Sequence, residues 1–214
     1  MKLTFILMLA VANIAGAASI NSGDGIGETN NVTGVNVIIN PHPAWSPNAD
    51  GKWISYAQTG YEGSEYPPNT SFDVPTASFL ELFNVTHISQ GSVTVWADDT
   101  ADVWLNGTQI ASHNPVQDGA CAAGPIGCEI GEGLTLNLTP YLHTGVNSLW
   151  FVVYQRGTAP GGLPGNGEPN PFGVKYSGAV SDVHAPEPGS MILMIVGIAL
   201  IAATRYKAVH RLRH

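Results

Sequence analysis

Turn-forming residues interrupt this chain so often that long regular elements have little room outside its two ends. The 214 residues include 25 glycines and 15 prolines, and the segments between them are short. These segments are rich in β-branched and aromatic residues and show no helical period. The strongest hairpin signal is Asn106-Gly107, which joins two apolar runs. The pattern predicts an all-β chain.

Nine segments have the length and composition of strands. They are residues 35–39, 53–57, 78–85, 92–97, 101–105, 108–111, 134–138, 148–155 and 172–180. Apolar and polar residues alternate along them, which is typical of strands with one face in a core and the other in solvent. We therefore predict an antiparallel β-sandwich or jelly roll.

The N-terminus has the composition of a secretory signal peptide. Lys2 precedes an almost wholly apolar segment from Leu3 to Ala12, and small residues follow at 15–17. A buried N-terminal helix is the alternative. We predict that signal peptidase removes residues 1–18 on export, that 19–34 form a flexible lead-in, and that 35–184 form the sandwich.

The C-terminal residues 185–214 follow a different pattern. An apolar run of 13 residues, 191–203, is preceded by Pro186-Glu187-Pro188 and followed by four basic residues between Arg205 and Arg213. An apolar run that ends in basic residues is typical of a stop-transfer segment whose basic end stays cytoplasmic. The run is short for a hydrocarbon core of about 30 Å. We nevertheless predict a transmembrane helix with the sandwich outside the membrane.

The order of these C-terminal features resembles the PEP-CTERM sorting signal. That resemblance implies an exported bacterial protein whose Pro186, Glu187 and Pro188 are recognised by an exosortase, a membrane enzyme. It also implies a location in the cell envelope or outside the cell. An ordinary single-span anchor is the alternative.

Residues 19–184 are strongly acidic. They contain 15 acidic and 3 basic residues, so their net charge is −12 with histidine neutral, compared with −8 for the whole chain. Such a surface repels nucleic-acid phosphates, which excludes DNA or RNA as a partner. The simplest role of this charge is solubility at a cell surface.

Residues 93–107 resemble the core of the galactose-binding-like β-sandwiches. In that family an Ala-Asp-Asp turn joins one strand to an apolar strand that ends in Asn-Gly, as at 97–107 here. Residues 144–154 and 172–178 fit two later strands of the family. The resemblance covers roughly residues 70–182. It implies a non-catalytic module of a kind that often binds carbohydrate and sometimes holds a structural calcium ion.

The candidate carbohydrate-binding residues are Trp104, Asp102, Asn106 and Trp45. If Ala101, Val103 and Leu105 face the core, then Trp104 lies on the opposite face between Asp102 and Asn106. Packing of Trp104 under a loop is the alternative, because large aromatic residues are mostly buried. Trp45 lies in a proline-rich loop, whereas Trp96 and Trp150 lie in apolar strands and are expected in the core.

Two further groups of residues are candidates for a metal site and a disulfide. Asp98, Asp99 and Asp102 place three carboxylates at a turn, where they could hold calcium through oxygen ligands, or simply form a solvated turn. Cys121 and Cys128 lie in one glycine-rich loop, and export favours a disulfide between them over a metal site.

These observations predict an exported cell-surface or extracellular-matrix protein whose sandwich binds carbohydrate, with an extracellular polysaccharide as its partner. The first alternative is a structural surface or biofilm-matrix component with no specific ligand, and the second is a hydrolase. The chain contains no Gly-x-Ser-x-Gly elbow and no His-Glu-x-x-His pair, so we expect no enzyme activity. We expect no cofactor other than calcium.

Overall fold

The computed structural model describes residues 17–65, 67, 74–87, 90–113, 125–155 and 170–181. This part of the chain contains eleven β-strands and one single-turn 3-10 helix. The strands are β1 Ala17–Asn21, β2 Glu28–Asn30, β3 Val37–Ile38, β4 Ile54–Ser55, β5 Ala77–Val85, β6 Gln90–Asp98, β7 Thr100–Leu105, β8 Thr108–Ala111, β9 Leu134–Asn137, β10 Gly145–Tyr154 and β11 Gly173–Ser181, and the 3-10 helix is Thr139–Tyr141. The predicted all-β class is confirmed for the described residues, and each of the nine predicted segments contains a strand.

The strands form two antiparallel sheets. The six-stranded sheet has the order β3-β4-β11-β6-β9, with β1 also paired to β11. The five-stranded sheet has the order β2-β5-β10-β7-β8. The last strand along the described chain, β11, is therefore the one that joins β1, β4 and β6 into a single sheet.

The two sheets pack face to face around one apolar core, as the predicted sandwich requires. Phe151 of β10 stacks on Tyr176 of β11 with ring centroids 4.3 Å apart, which joins the five-stranded sheet to the six-stranded sheet. Alternation places every second residue of a strand in this core. In β7, for example, Ala101, Val103 and Leu105 are fully buried.

The sequence predicts a flexible lead-in at 19–34, whereas β2 and the last three residues of β1 lie there, and β1 begins at Ala17 inside the predicted signal peptide. β1 pairs with β11 over five residues, from Ala17 opposite Ser181 to Asn21 opposite Ser177, and buries Ile20 completely. β2 pairs with β5. The sequence of this region is rich in glycine, serine and asparagine, which have low strand propensity. Because β11 and β5 supply its backbone hydrogen-bond partners, the region forms strands without high intrinsic propensity.

The terminal predictions concern residues outside the described ranges. Most of the predicted signal peptide, the sorting motif at 186–188 and the apolar run at 191–203 belong to those residues. Within the described ranges, no helix combines the length and the apolar composition that a membrane crossing needs. Cys121 is also outside them, so its disulfide with the buried Cys128 stays a prediction.

Candidate functional site

Trp104 and Trp150 lie directly opposite each other on the neighbouring strands β7 and β10. Both lie on the outer face of the five-stranded sheet, because Leu105 and Leu149 beside them are fully buried on the inner face. Trp150 is 40% exposed and Trp104 is half-buried. The alternation predicted for β7 is confirmed. The expected core position of Trp150 is wrong, because Leu149 and Phe151 take the inward positions of β10.

Apolar side chains continue this surface onto β5 and along β10. Leu80 is the cross-strand neighbour of Trp150 on β5, and Leu82 two residues further is 41% exposed. Val152 lies two residues from Trp150 on the same face of β10. We call these five residues the tryptophan face: Leu80, Leu82, Trp104, Trp150 and Val152. None of them carries a charge, so the face offers contact to apolar surfaces rather than ionic pairing.

Asp102 lies at one edge of the tryptophan face, but its carboxylate is already engaged. Its Oδ1 accepts hydrogen bonds from the His113 backbone N–H at 2.8 Å and from the Gln109 amide at 3.1 Å, and it contacts His113 Nδ1 at 2.9 Å. Its Oδ2 accepts the Tyr154 hydroxyl at 2.9 Å. Burial, with the hydrogen bond to Asp102, raises the pKa of Tyr154 to about 12, so this hydroxyl stays a donor. Asp102 therefore fastens β8 and β10 to β7, and its expected role as a direct sugar or calcium ligand stays a prediction.

Asn106 is likewise committed to structure. It adopts the left-handed conformation with φ of 52° in the turn between β7 and β8. Its amide donates to the Tyr141 carbonyl at 2.9 Å and to Asn147 Oδ1 at 2.8 Å, and its Oδ1 accepts the Ser148 N–H at 2.9 Å. These contacts use both ends of the amide, and the expectation that Asn106 binds sugar hydroxyls stays a prediction. The turn itself is the Asn-Gly turn that the sequence predicts.

Trp45 is not available as a sugar platform. It is only 4% exposed, and its ring packs on Trp53 with centroids 4.2 Å apart, beside Ile39 and Cys128. This corrects the expected exposure of Trp45. The proline-rich loop folds onto the outer side of the six-stranded sheet because the buried Lys175 of β11 donates to Ser46 Oγ and to the Pro47 carbonyl, both at 2.7 Å.

The carboxylates of Asp98, Asp99 and Asp102 are not gathered as a calcium site. Asp98 is buried and accepts a hydrogen bond from the Trp45 side chain. Burial raises the pKa of Asp98 well above its usual range, and the neighbouring Asp99 raises it further, so the neutral form is favoured. Asp102 lies on the other sheet with the partners described above. These positions give the calcium prediction at the three residues no support, and it stays a prediction.

A different group of carboxylates does lie close together. Asp24, Glu28 and Glu81 each offer an oxygen within 4.8 Å of the others, and they form the one group of three potential ligands found among the described residues. Oxygen ligands of this type suit a hard cation such as calcium. The sequence alone does not reveal this group, because Glu28 and Glu81 become neighbours only when β2 pairs with β5.

Tyr176 reaches this carboxylate group from the opposite sheet. Its hydroxyl lies 2.8 Å from Glu28 Oε1 and 3.0 Å from Glu81 Oε2. A hydroxyl has one hydrogen to donate, so the second contact needs a proton on a carboxyl group. Burial raises the pKa of Glu81 to about 8 and also raises that of Glu28, which supplies that proton near neutral pH.

The outer face of the six-stranded sheet carries a groove of about 690 Å³. Its polar lining consists of uncharged side chains: Gln90, Ser92, Thr135, Asn137, Thr139 and Ser181. These groups can hydrogen-bond hydroxyls, but the lining contains no aromatic ring. The tryptophan face is therefore the stronger candidate site.

No family model and no curated protein matches the chain, whereas several solved structures do. An α-L-rhamnosidase of Streptomyces avermitilis, complexed with L-rhamnose, matches with 14% identity over 52% of this chain and 11% of that chain, with a TM-score of 0.33. A family 35 carbohydrate-binding module from Clostridium thermocellum matches with 11% identity over 78% of this chain and 100% of that chain, with a TM-score of 0.37. An exo-chitosanase of Amycolatopsis orientalis matches with 21% identity over 77% of this chain and 20% of that chain, with a TM-score of 0.33. TM-scores of 0.33 to 0.37 are too low to support a conclusion about the function of this chain.

Proposed function

We propose that the sandwich is a non-catalytic carbohydrate-binding domain and that the tryptophan face is its binding surface. The observation that carries this proposal is the cross-strand pairing of Trp104 and Trp150 on an open sheet face, with Trp150 40% exposed. Contiguous exposed apolar surface on a soluble domain is a mark of an interaction site. Tryptophan is also the residue type that most often dominates binding energy.

The chemistry of the face suits sugars better than other ligands. The apolar C–H faces of pyranose rings pack on flat indole rings, which are large, rigid and lose little entropy on binding. Ser148 on β10 offers a hydroxyl group at the margin of the face, and Gln109 on β8 offers its amide carbonyl, since its amide nitrogen donates to Asp102. The acidic surface of residues 19–184 opposes binding to polyanions.

Affinity electrophoresis of the purified full chain through gels containing neutral polysaccharides tests the proposal. Trp104→Ala and Trp150→Ala should each reduce retention by about tenfold in affinity, because each removes one ring from the platform. Ile38→Ala is the matched control, since Ile38 is 52% exposed on the opposite sheet. Circular dichroism and thermal melting show whether each variant is folded.

The outcomes separate the candidate functions. Equal retention of the wild type and both folded tryptophan variants would contradict the tryptophan face as the site. A folded wild type that no polysaccharide retards would favour the structural surface or matrix component. Release of soluble sugar from a retained polysaccharide would instead indicate a hydrolase.

We infer separately that the chain is exported and sorted through its C-terminus. The support is the order of Pro186-Glu187-Pro188, the apolar run at 191–203 and the basic tail, together with the N-terminal signal sequence at 1–18. In a host that has an exosortase, replacing Pro186 and Pro188 by alanine should leave the C-terminal segment attached. Mass spectrometry of the mature protein measures this, and an unchanged mature C-terminus would contradict the sorting proposal.

A further inference from the structure

One residue from each strand of the five-stranded sheet forms a continuous line across the outer face. The strand registers place Thr29 opposite Leu80, Leu80 opposite Trp150, and Trp150 opposite Trp104. Trp104 in turn lies opposite Gln109. We call these five residues the cross-strand row. Its centre is apolar and aromatic, and its two ends, Thr29 and Gln109, are polar and exposed.

The row has a definite direction. Along β7 the two outward neighbours of Trp104 are Asp102 and Asn106, and both are tied into the protein by the hydrogen bonds described above. Across the strands, by contrast, the apolar surface continues from Trp104 to Trp150 and Leu80. From Trp104, the apolar surface available to a ligand therefore extends across the strands and not along β7.

The length of the row fits several sugar units. Neighbouring strands are about 4.8 Å apart, so the four intervals of the row span roughly 19 Å. One interval is close to the length of a pyranose unit in an extended chain, so the row matches about four successive units. A single terminal sugar would use only a fraction of it.

The charge of the row and its borders also restricts the ligand. The ionisable side chains that border the row include Asp102, which is buried and hydrogen-bonded, and His113, whose Nδ1 lies 2.9 Å from Asp102 Oδ1. No lysine or arginine is present among the row residues to pair with a uronate or a sulfate. An anionic chain would therefore meet an acidic domain without a lysine or arginine in the row to compensate its charge.

Resting on the carbohydrate-binding function proposed above, we propose that the cross-strand row binds an internal segment of a neutral, extended polysaccharide whose axis runs across the strands. The two tryptophans hold the central units, and Leu80, Thr29 and Gln109 contact the outer ones. Binding then depends on chain length and not on a chain end.

Calorimetry of the full chain with a ladder of oligosaccharides, two to eight units long and cut from the retained polysaccharide, tests this inference. The affinity should rise at least tenfold between two and four units and change little beyond four. Reduction of the chain end should leave the affinity of the longer oligosaccharides unchanged.

Edge variants make the test specific to the row. Thr29→Ala and Leu80→Ala should weaken binding of five-unit chains several-fold and leave the affinity for two units unchanged. Trp104→Ala should weaken binding at every length. Ser78→Ala on the same face but outside the row is the matched control, and it should leave both affinities unchanged.

Failure of this inference is distinguishable from failure of the proposed function. The tryptophan variants could lose binding while two sugar units bind the wild type as tightly as five, or reduction of the chain end could abolish binding. Either result would contradict binding of an internal segment along the cross-strand row, while carbohydrate binding by the tryptophan face would stand. Tighter binding of a sulfated or uronate polymer would overturn the neutral ligand class. If no polysaccharide or oligosaccharide binds the folded wild type, both proposals fall.

Discussion

Glu28 and Glu81 lie directly opposite each other on β2 and β5, and both carboxyl groups contact the single hydroxyl of Tyr176. Two like charges at one cross-strand position are destabilising. The arrangement is therefore compatible with a folded core when at least one carboxyl group is neutral. The following prediction depends on that proton.

The free energy of unfolding should fall as the pH rises from about 5 to about 8. Burial raises the pKa of Glu81 from 4.5 to about 8, so in this range the folded state holds a proton that the unfolded chain has released. Glu28 and Asp98 act in the same direction. Glu81→Gln, which mimics the neutral acid, should match the wild type at pH 5 and exceed it by a few kcal/mol at pH 9.

Urea unfolding at both pH values measures this effect, with the exposed Glu62→Gln as the control. A Glu81→Gln variant with the same pH dependence as the wild type would contradict the shared proton. A calcium-dependent rise in Tm that Glu81→Gln abolishes would indicate a cation in place of that proton.

Lys175 should produce the opposite slope at higher pH. Burial lowers the pKa of this lysine from 10.5 to about 8, so between these values the unfolded chain binds a proton that the folded state has released. The free energy of unfolding therefore rises with pH in this range, by up to about 3 kcal/mol. Lys175→Met should remove the rise, and the exposed Lys52→Met should retain it. Urea unfolding at pH 8 and pH 10.5 measures both.

Gly133 is required by its contact with Trp96. A Cβ atom at Gly133 would lie 2.3 Å from Trp96 Cε2, and the Trp96 indole is itself held by Lys175 Nζ 4.0 Å from its ring centre. Gly133→Ala should therefore destabilise the domain by about 1–3 kcal/mol. Gly131→Ala is the matched control, since a Cβ there meets nothing within 4 Å and its positive φ of 89° alone should cost about 1 kcal/mol. Thermal melting compares them, and an equal loss in both would contradict the Trp96 contact.

A variant at Asn106 should change the stability of the domain without changing its affinity for polysaccharide. Asn106→Gly permits the left-handed turn but removes the bonds to Tyr141, Asn147 and Ser148, so it should lower the free energy of unfolding by about 2 kcal/mol. Its affinity for polysaccharide, measured below its Tm, should equal that of the wild type. A loss of affinity in the folded variant would restore Asn106 as a ligand residue.

The sequence predicts the strands of this domain better than its surfaces. Period-2 alternation and the Asn106-Gly107 turn identify the long strands, because both signals are local. β1 and β2 carry no such signal, since their pairing comes from β11 and β5. The apolar run 149–154 of β10 predicts a core position for Trp150, and only the strand register shows which half of these residues faces outward.

The contacts that the sequence does not predict also depend on long-range pairing in the fold. Glu28 and Glu81 are far apart in sequence and become neighbours through strand pairing. Trp45 lies in a loop whose position depends on Lys175, more than a hundred residues later. Neither relationship is visible in a local pattern. By contrast, the sequence of β7 predicts the outward position of Trp104, because the apolar residues Ala101, Val103 and Leu105 occupy every second position.

The central place of β11 in the six-stranded sheet bears on when this domain can form. β1, β4 and β6 are all made before β11, and each of them pairs with it. A nascent chain that lacks residues 173–181 therefore has no template on which to join these strands, and long-range pairing of this kind is slow. The six-stranded sheet should therefore not be completed until β11 has been synthesised.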